Sequence, residues 1–274
     1  MKLSILSGSF GRFSIDKQFE MVKNIGFDGI DICGTRPHAY PYDMDQRRID
    51  HILELKEKYK LETPMFNPEL LQYPYNISSV YENERRDTID YLLRSIEVAN
   101  ALGIGQMQIT CGHPGYDVPR ALALENTVKT LREVMPYAED KKVDVVLEPL
   151  TVMESNTIVM LDSAVELIKE VNSPRLVGMI DSAMVMTNWE PVDVYFEKFG
   201  SLLRYIHWGD SNGTAENHLH IGAGRMDPLG FFQAVKRRGY DGWVSIEMFS
   251  QYIREPEMLA AREHRLLREI FSQL

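Results

Sequence analysis

Val145-Val146-Leu147-Glu148 is an apolar run that ends in a carboxylate, and the same pattern returns three more times. Val177-Gly178-Met179-Ile180 ends at Asp181, Tyr205-Ile206 at His207, and Val244-Ser245-Ile246 at Glu247. Short unbroken apolar runs suit strands covered on both faces, which is the situation in a parallel sheet flanked by helices. Working outward, strands are predicted at 3–6, 29–33, 63–66, 106–110, 143–147, 176–180, 203–206 and 243–246. Helical spacing fills the gaps, at 14–24, 49–59, 84–102, 121–141, 163–171, 192–199, 229–238 and 257–274. The clearest is 84–102, where Ile89, Leu92, Leu93, Ile96 and Ala99 recur at three and four residues.

Strict strand–helix alternation implies parallel βαβ units. Eight such units within 274 residues predict one (β/α)8 TIM barrel spanning 1–274, the usual size of that fold being about 250 residues. An open doubly wound sheet is the competitor. It wants a glycine-rich phosphate loop after the first strand, and Gly8-Ser9-Phe10-Gly11 is too weak a match. Gly26-Phe27-Asp28-Gly29 and Gly239-Tyr240-Asp241-Gly242 precede the second and eighth strands and read as two helix stops.

Composition narrows the function. Asp plus Glu number 40 against 30 Lys plus Arg, a formal net charge of -10, which argues against a nucleic-acid partner. No run approaches the ~18 apolar residues of a membrane span, and residues 1–10 lack the apolar centre of a secretion signal. Cys33 and Cys111 are the only cysteines, which suits reduced thiols in a cytoplasmic setting better than a disulfide framework.

In a parallel barrel all strand ends converge on one face, where the active site lies. Glu148, Asp181, His207 and Glu247 would therefore meet there. Singly, each carboxylate has a plainer role as a helix N-cap or loop residue. Together, three carboxylates and an imidazole in a dry barrel mouth need a compensating charge. A divalent cation supplies it, and a ligand set without thiolate favours Mn2+, Co2+, Fe2+ or Mg2+ over structural zinc. Glu148 and Glu247, from the fifth and eighth strands, could flank one carbon and exchange its proton from two sides.

These residues resemble the xylose-isomerase-like barrels, in their ketose 3-epimerase branch. Leu147-Glu148-Pro149-Leu150 with Glu154, Met179-Ile180-Asp181, His207 followed by Asp210, Gly222-Ala223-Gly224-Arg225 and Ser245-Ile246-Glu247 fall in family order. The longer strings Gly34-Thr35-Arg36-Pro37-His38-Ala39, Glu148 through Asn156, and His207 through His218 point to members acting on fructosamine-type sugars. The resemblance implies that Glu148, Asp181, His207 and Glu247 hold one divalent cation (Mn2+, Co2+, Ni2+, Fe2+ or Mg2+). It implies that Glu148 and Glu247 are the acid/base pair at carbon 3 of a 2-keto sugar or its amine adduct, that Glu154 touches substrate oxygens, and that the chain forms a dimer or tetramer. Two departures separate this chain from plain ketohexose epimerases: Met184 stands where they carry His, and Ser211-Asn212-Gly213 where they carry Arg.

Further pocket candidates are Arg36 and His38, with Tyr40, after the second strand, and His113 after the fourth. The loop after the seventh strand adds Asp210 and His218, with His220 beside them. Arg36 could hold a substrate carboxylate, and a surface turn shaped by Pro37 and Pro41 is its plainer role. Met65, Phe66, Trp208 and Phe249 are candidates for an apolar wall or for ordinary barrel packing. Three other functions share parts of this pattern: an aldose–ketose isomerase, a metal-dependent phosphodiesterase acting on DNA, and a sugar-binding protein without catalysis.

Overall fold

The computed structural model describes residues 1–274 apart from Glu216, Phe249, Ser250, Gln251 and Ile253. Its strands are β1 (Lys2–Ile5), β2 (Ile32–Gly34), β3 (Phe66–Pro68), β4 (Gln106–Thr110), β5 (Asp144–Glu148), β6 (Leu176–Asp181), β7 (Leu203–Trp208) and β8 (Trp243–Ile246). The α-helices are α1 (Ile15–Ile25), α2 (Gln46–Tyr59), α3 (Glu82–Ala101), α4 (Arg120–Lys141), α5 (Leu161–Val171), α6 (Ser182–Thr187), α7 (Val192–Phe199), α8 (Pro228–Arg237) and α9 (Pro256–Phe271).

The strands hydrogen-bond in the order β1-β8-β7-β6-β5-β4-β3-β2. The pairings of β1 with β8, β3 with β4, β4 with β5, β5 with β6 and β7 with β8 are parallel. A parallel bridge between Leu6 and Asp31 links the segments that follow β1 and precede β2, the two ends of that order. The chain divides into two compact units. One comprises Met1–Ile32, Asp50–Pro64 and Ile180–Leu274, the other Cys33–Ile49 and Met65–Met179.

In the first unit, Leu3, Ile5, Ile206 and Val244 on the strands are buried with Phe19, Met21 and Phe232 from the helices. Ser14 caps α1 by accepting from Lys17 N at 3.3 Å, and Gly26 ends it at φ 104°, a backbone that glycine adopts without strain. Gly239, at φ 75°, follows α8 in the same way, so both Gly-x-Asp-Gly strings are helix stops. Asp227 starts α8 by accepting from Gly230 N, with Pro228 in the first helical turn.

In the second unit, Met107, Val145, Val146 and Leu147 on the strands are buried, as are Leu92, Ile96 and Leu131 on the helices. Each such side chain contributes about 1.5–3 kcal/mol on removal from water. β2 and β3 are shorter and later than the sequence predicts. The stretch before them still pairs, through Ile30 N to Glu62 O at 2.9 Å and a bridge from Gly29 to Glu62, without forming a continuous ladder. Helix α6 was not anticipated. It begins directly at Asp181, whose carboxylate accepts from Ala183 N and Met184 N.

Candidate metal centre

The first unit brings two carboxylates and two imidazoles together at the ends of β6, β7 and β8. On β7, Tyr205 and His207 share one face because strand side chains alternate. On β8, Ser245 does so with Glu247. The β7–β8 register sets His207 against Ser245, and Glu247 N donates to Trp208 O at 3.0 Å. His207 Nδ1 lies 2.9 Å from Glu247 Oε2. His218 Nε2 lies 2.8 Å from Asp181 Oδ2 and 3.4 Å from Glu247 Oε2. Asp181, His207 and His218 are almost fully buried, and the Glu247 side chain is 16% exposed. Burial works to raise the Glu247 carboxyl. The His218 and His207 imidazoles, with the hydrogen bond from His207, overcome it and hold the group down at about 2.

The two oxygens of Asp181 meet different partners. Oδ1 accepts from Ala183 N at 2.6 Å and Met184 N at 3.3 Å, capping α6, while Oδ2 faces His218.

His218 is carried by the loop after β7, and that loop is held by two buried carboxylates. Asp210 accepts from Ser211 N, Gly222 N, Gly224 N and Met226 N at 2.7–3.1 Å. A Cβ at Gly224 would overlap the Asp210 carboxylate and the Ser211 carbonyl, which explains the second glycine of Gly222-Ala223-Gly224-Arg225. From α9, both oxygens of Glu263 accept from Ile221 N at 3.1 Å. Burial lifts the Glu263 carboxyl to about 7 against the pull of the Ile221 bond and Arg262. His220 pairs with Arg262 and Tyr252. Trp208 points away from His207, into Phe231 and Phe232 of α8 at 5.3 and 4.8 Å between ring centres, and is helix-side packing. Phe249 lies outside the described residues.

Beneath His207 sits a polar knot that the sequence reading missed. Tyr205 Oη donates to Asp31, with oxygens at 2.8 and 2.9 Å, and lies 3.0 Å from Ser4 Oγ. Burial raises the Asp31 carboxyl to about 6, opposed by Ser245, His207, Tyr205 and Ser4.

In the second unit, Glu148 closes β5 and is buried. Its Oε2 accepts from Gln108 Nε2 on β4, and Gln108 Oε1 accepts from Asn67 Nδ2 on β3 at 2.5 Å. The sequence reading missed both amides, although each is a polar residue in a buried strand. Glu154 sits in the turn after β5, where Thr151 Oγ1 donates to it at 3.3 Å. Arg36 is an exposed side chain that forms a two-pronged ion pair with Asp43, at 2.7 and 2.9 Å, and lies over the Tyr40 ring. The half-buried His38 donates its backbone N–H to Thr35 O. His113 Nδ1 accepts from Gly115 N at 3.2 Å, so Nε2 carries the ring proton. Cys33 and Cys111 are buried and form no disulfide. Burial raises the Cys111 thiol to about 12.

Parallel strands interleaved with helices, ending in carboxylates and imidazoles, define a (β/α)8 barrel enzyme. The sequence profile of the xylose isomerase-like TIM barrel family matches residues 19–270, and the chain belongs to that family. It is 32% identical to a fructoselysine 3-epimerase of Shigella flexneri, over 100% of this chain and 99% of the relative. It is 27% identical to an L-ribulose 3-epimerase of Methylomonas sp. over 62% of this chain and 59% of that one. The fold superposes on a crystal structure of D-psicose 3-epimerase from Clostridium cellulolyticum H10 with a TM-score of 0.83, covering 98% of this chain and 99% of that one at 19% identity. Within this family the chain is an isomerase.

Proposed function

We propose that the protein is a divalent-metal-dependent epimerase acting at carbon 3 of a ketose or fructosamine-type sugar, converting fructoselysine to psicoselysine or a related pair. One observation carries the proposal. Asp181, His207 and Glu247 of the first unit each offer one ligand atom, and these atoms lie within 4.8 Å of one another; Glu148 is proposed as the fourth ligand. The donor set fits an oxygen- and nitrogen-preferring divalent cation, having no thiolate and three carboxylates to neutralise. When bound, the cation would supply positive charge to the neighbouring oxygens of a 2-keto sugar, which stabilises the enediolate left when carbon 3 loses its proton.

The chain's own residues move the proton. One of Glu148 and Glu247 takes it from carbon 3, and the other returns one to the opposite face. The His207 and His218 imidazoles beside Glu247 orient that carboxylate. Glu154 and the Nε2–H of His113 are proposed to bind substrate hydroxyls. His38 is proposed to line the same pocket. Arg36 would receive a substrate carboxylate beside Asp43 or in its place. Asp210 and His218 act from within, through the loop and through Asp181 and Glu247. The full-length likeness to a fructoselysine 3-epimerase supports the substrate class.

The test is direct. The protein loaded with Mn2+ or Co2+ is incubated in D2O with fructoselysine and, separately, with fructose and psicose, and carbon 3 is followed by NMR. Deuterium at carbon 3 of an inverted product, abolished by EDTA, is the expected result. Deuterium at carbon 1 would replace the proposal with aldose–ketose isomerisation, and no exchange in any sugar would overturn it.

A further inference from the structure

We propose that Gln108, itself fixed by Asn67, is a positioning residue that aims the Glu148 carboxylate, and that the two acid/base glutamates are thereby held by different chemistry. The inference rests on the two-glutamate reading above.

The strand register builds the arrangement. Phe66 pairs with Met107, so the next residues along, Asn67 and Gln108, stand side by side. Gln108 pairs with Val146, two residues before Glu148 on the same face of β5. The three side chains therefore line one face of three neighbouring strands. The direction of the chain of bonds is forced. An ionised carboxylate only accepts, so the Gln108 amide must present Nε2–H to Glu148. That turns Oε1 toward β3, where only a donor satisfies it, and Asn67 Nδ2 provides one at 2.5 Å. Gln108 cannot rotate without breaking both bonds. Glu148 Oε2 is thus pinned by a group with fixed orientation and no charge.

Glu247 is held otherwise, by the His207 and His218 imidazoles. Removing the Gln108 amide should therefore impair the proton transfer that Glu148 performs and spare the one that Glu247 performs. Each transfer is a simple exchange. The carbon–hydrogen bond at carbon 3 breaks, the glutamate gains the proton as a carboxylic acid, and the electron pair stays with the sugar. The second glutamate then gives up its own proton to form the new bond.

The variant is Gln108→Met, which keeps length and removes the donor. Rates are measured in both directions, from fructoselysine and from psicoselysine, each with hydrogen or deuterium at carbon 3, on the Mn2+-loaded protein. Loss of an outer hydrogen-bond partner of this kind costs about 10–100-fold in kcat. In the direction where Glu148 removes the proton, the substrate isotope effect should be large. In the reverse direction, where Glu247 removes it, the effect should fall toward unity because the slow step now follows. The same direction should be singled out by Asn67→Ala, with a smaller fall in kcat, which provides the answer should Gln108→Met fail to fold. Equal isotope effects in both directions, or an unchanged kcat in folded variants, would overturn the inference. Product formed by the unmodified protein in D2O without deuterium at carbon 3 would overturn the epimerase reading and this inference together. Normal deuterium incorporation with symmetrical losses in the variants would overturn only the inference.

Discussion

At the residue scale, the ligand candidates were legible because each ends an apolar strand, and in a parallel barrel the strand ends converge on one face. Glu148→Gln and Glu247→Gln should each lower epimerisation by about 100-fold to 10,000-fold, the usual contribution of one acid/base group. Rates measured for both variants with metal at saturation check this, and full turnover by either would end the two-base scheme. Gln108 and Asn67 were not legible. Their importance lies in register, which decides who stands beside whom, and a polar residue inside one strand does not reveal its partner on the next. Arg36 was legible as a cation but not as an occupied one. Its Asp43 partner, seven residues on, closes a local ion pair that spacing alone does not announce. If the substrate carries a carboxylate that takes over from Asp43, Arg36→Ala should raise KM for fructoselysine and leave KM for fructose unchanged in steady-state assays.

At the element scale, the alternation of strand and helix was plain, while the limits of β2 and β3 were not. Only three residues of each form the strand, and Gly29 and Ile30 pair singly with Glu62 before it, inside the same short runs. Helix α6 is not legible in the sequence because it starts at Asp181, directly after β6, and is only six residues long. The loop after β7 offers a test at this scale through Glu263. Its carboxyl is raised from 4.5 to about 7 by burial. A carboxyl raised on folding is better protonated in the folded state, so its contribution is fully present below about pH 4.5 and is lost as pH climbs through 7. Glu263→Gln should remove that dependence. Thermal unfolding of the two proteins between pH 5 and 8 should show the variant gaining on the parent as pH rises, by on the order of 1–3 kcal/mol. Parallel curves would show that Glu263 stays ionised. Asp210→Ala strips acceptors from four backbone N–H groups at once and should cost more, since each buried unpaired donor is worth about 1–3 kcal/mol. Hydrogen exchange of residues 211–226 would register the loss as faster exchange confined to that loop.

At the scale of the whole molecule, a ligand that binds only the folded chain stabilises it by mass action. Mn2+ at 100 times its Kd would add about 2.7 kcal/mol, enough to raise Tm by several degrees in a chain of this size. EDTA should reverse the rise and Asp181→Ala should abolish it. An unmoved Tm would argue against the four-residue site. The net charge of -10 leaves such a cation favoured at long range as well as at contact. The divided use of Asp181 has a consequence for how this barrel can change over time. Asn caps helices about as well as Asp does, so Asp181→Asn would retain the start of α6 while discarding a negative charge that a cation needs. The metal-free fold would hardly register the change. If Asp181 holds the cation as proposed, a catalytic barrel and an inert one lie a single amide apart, and a lineage could cross that gap with the start of this helix intact.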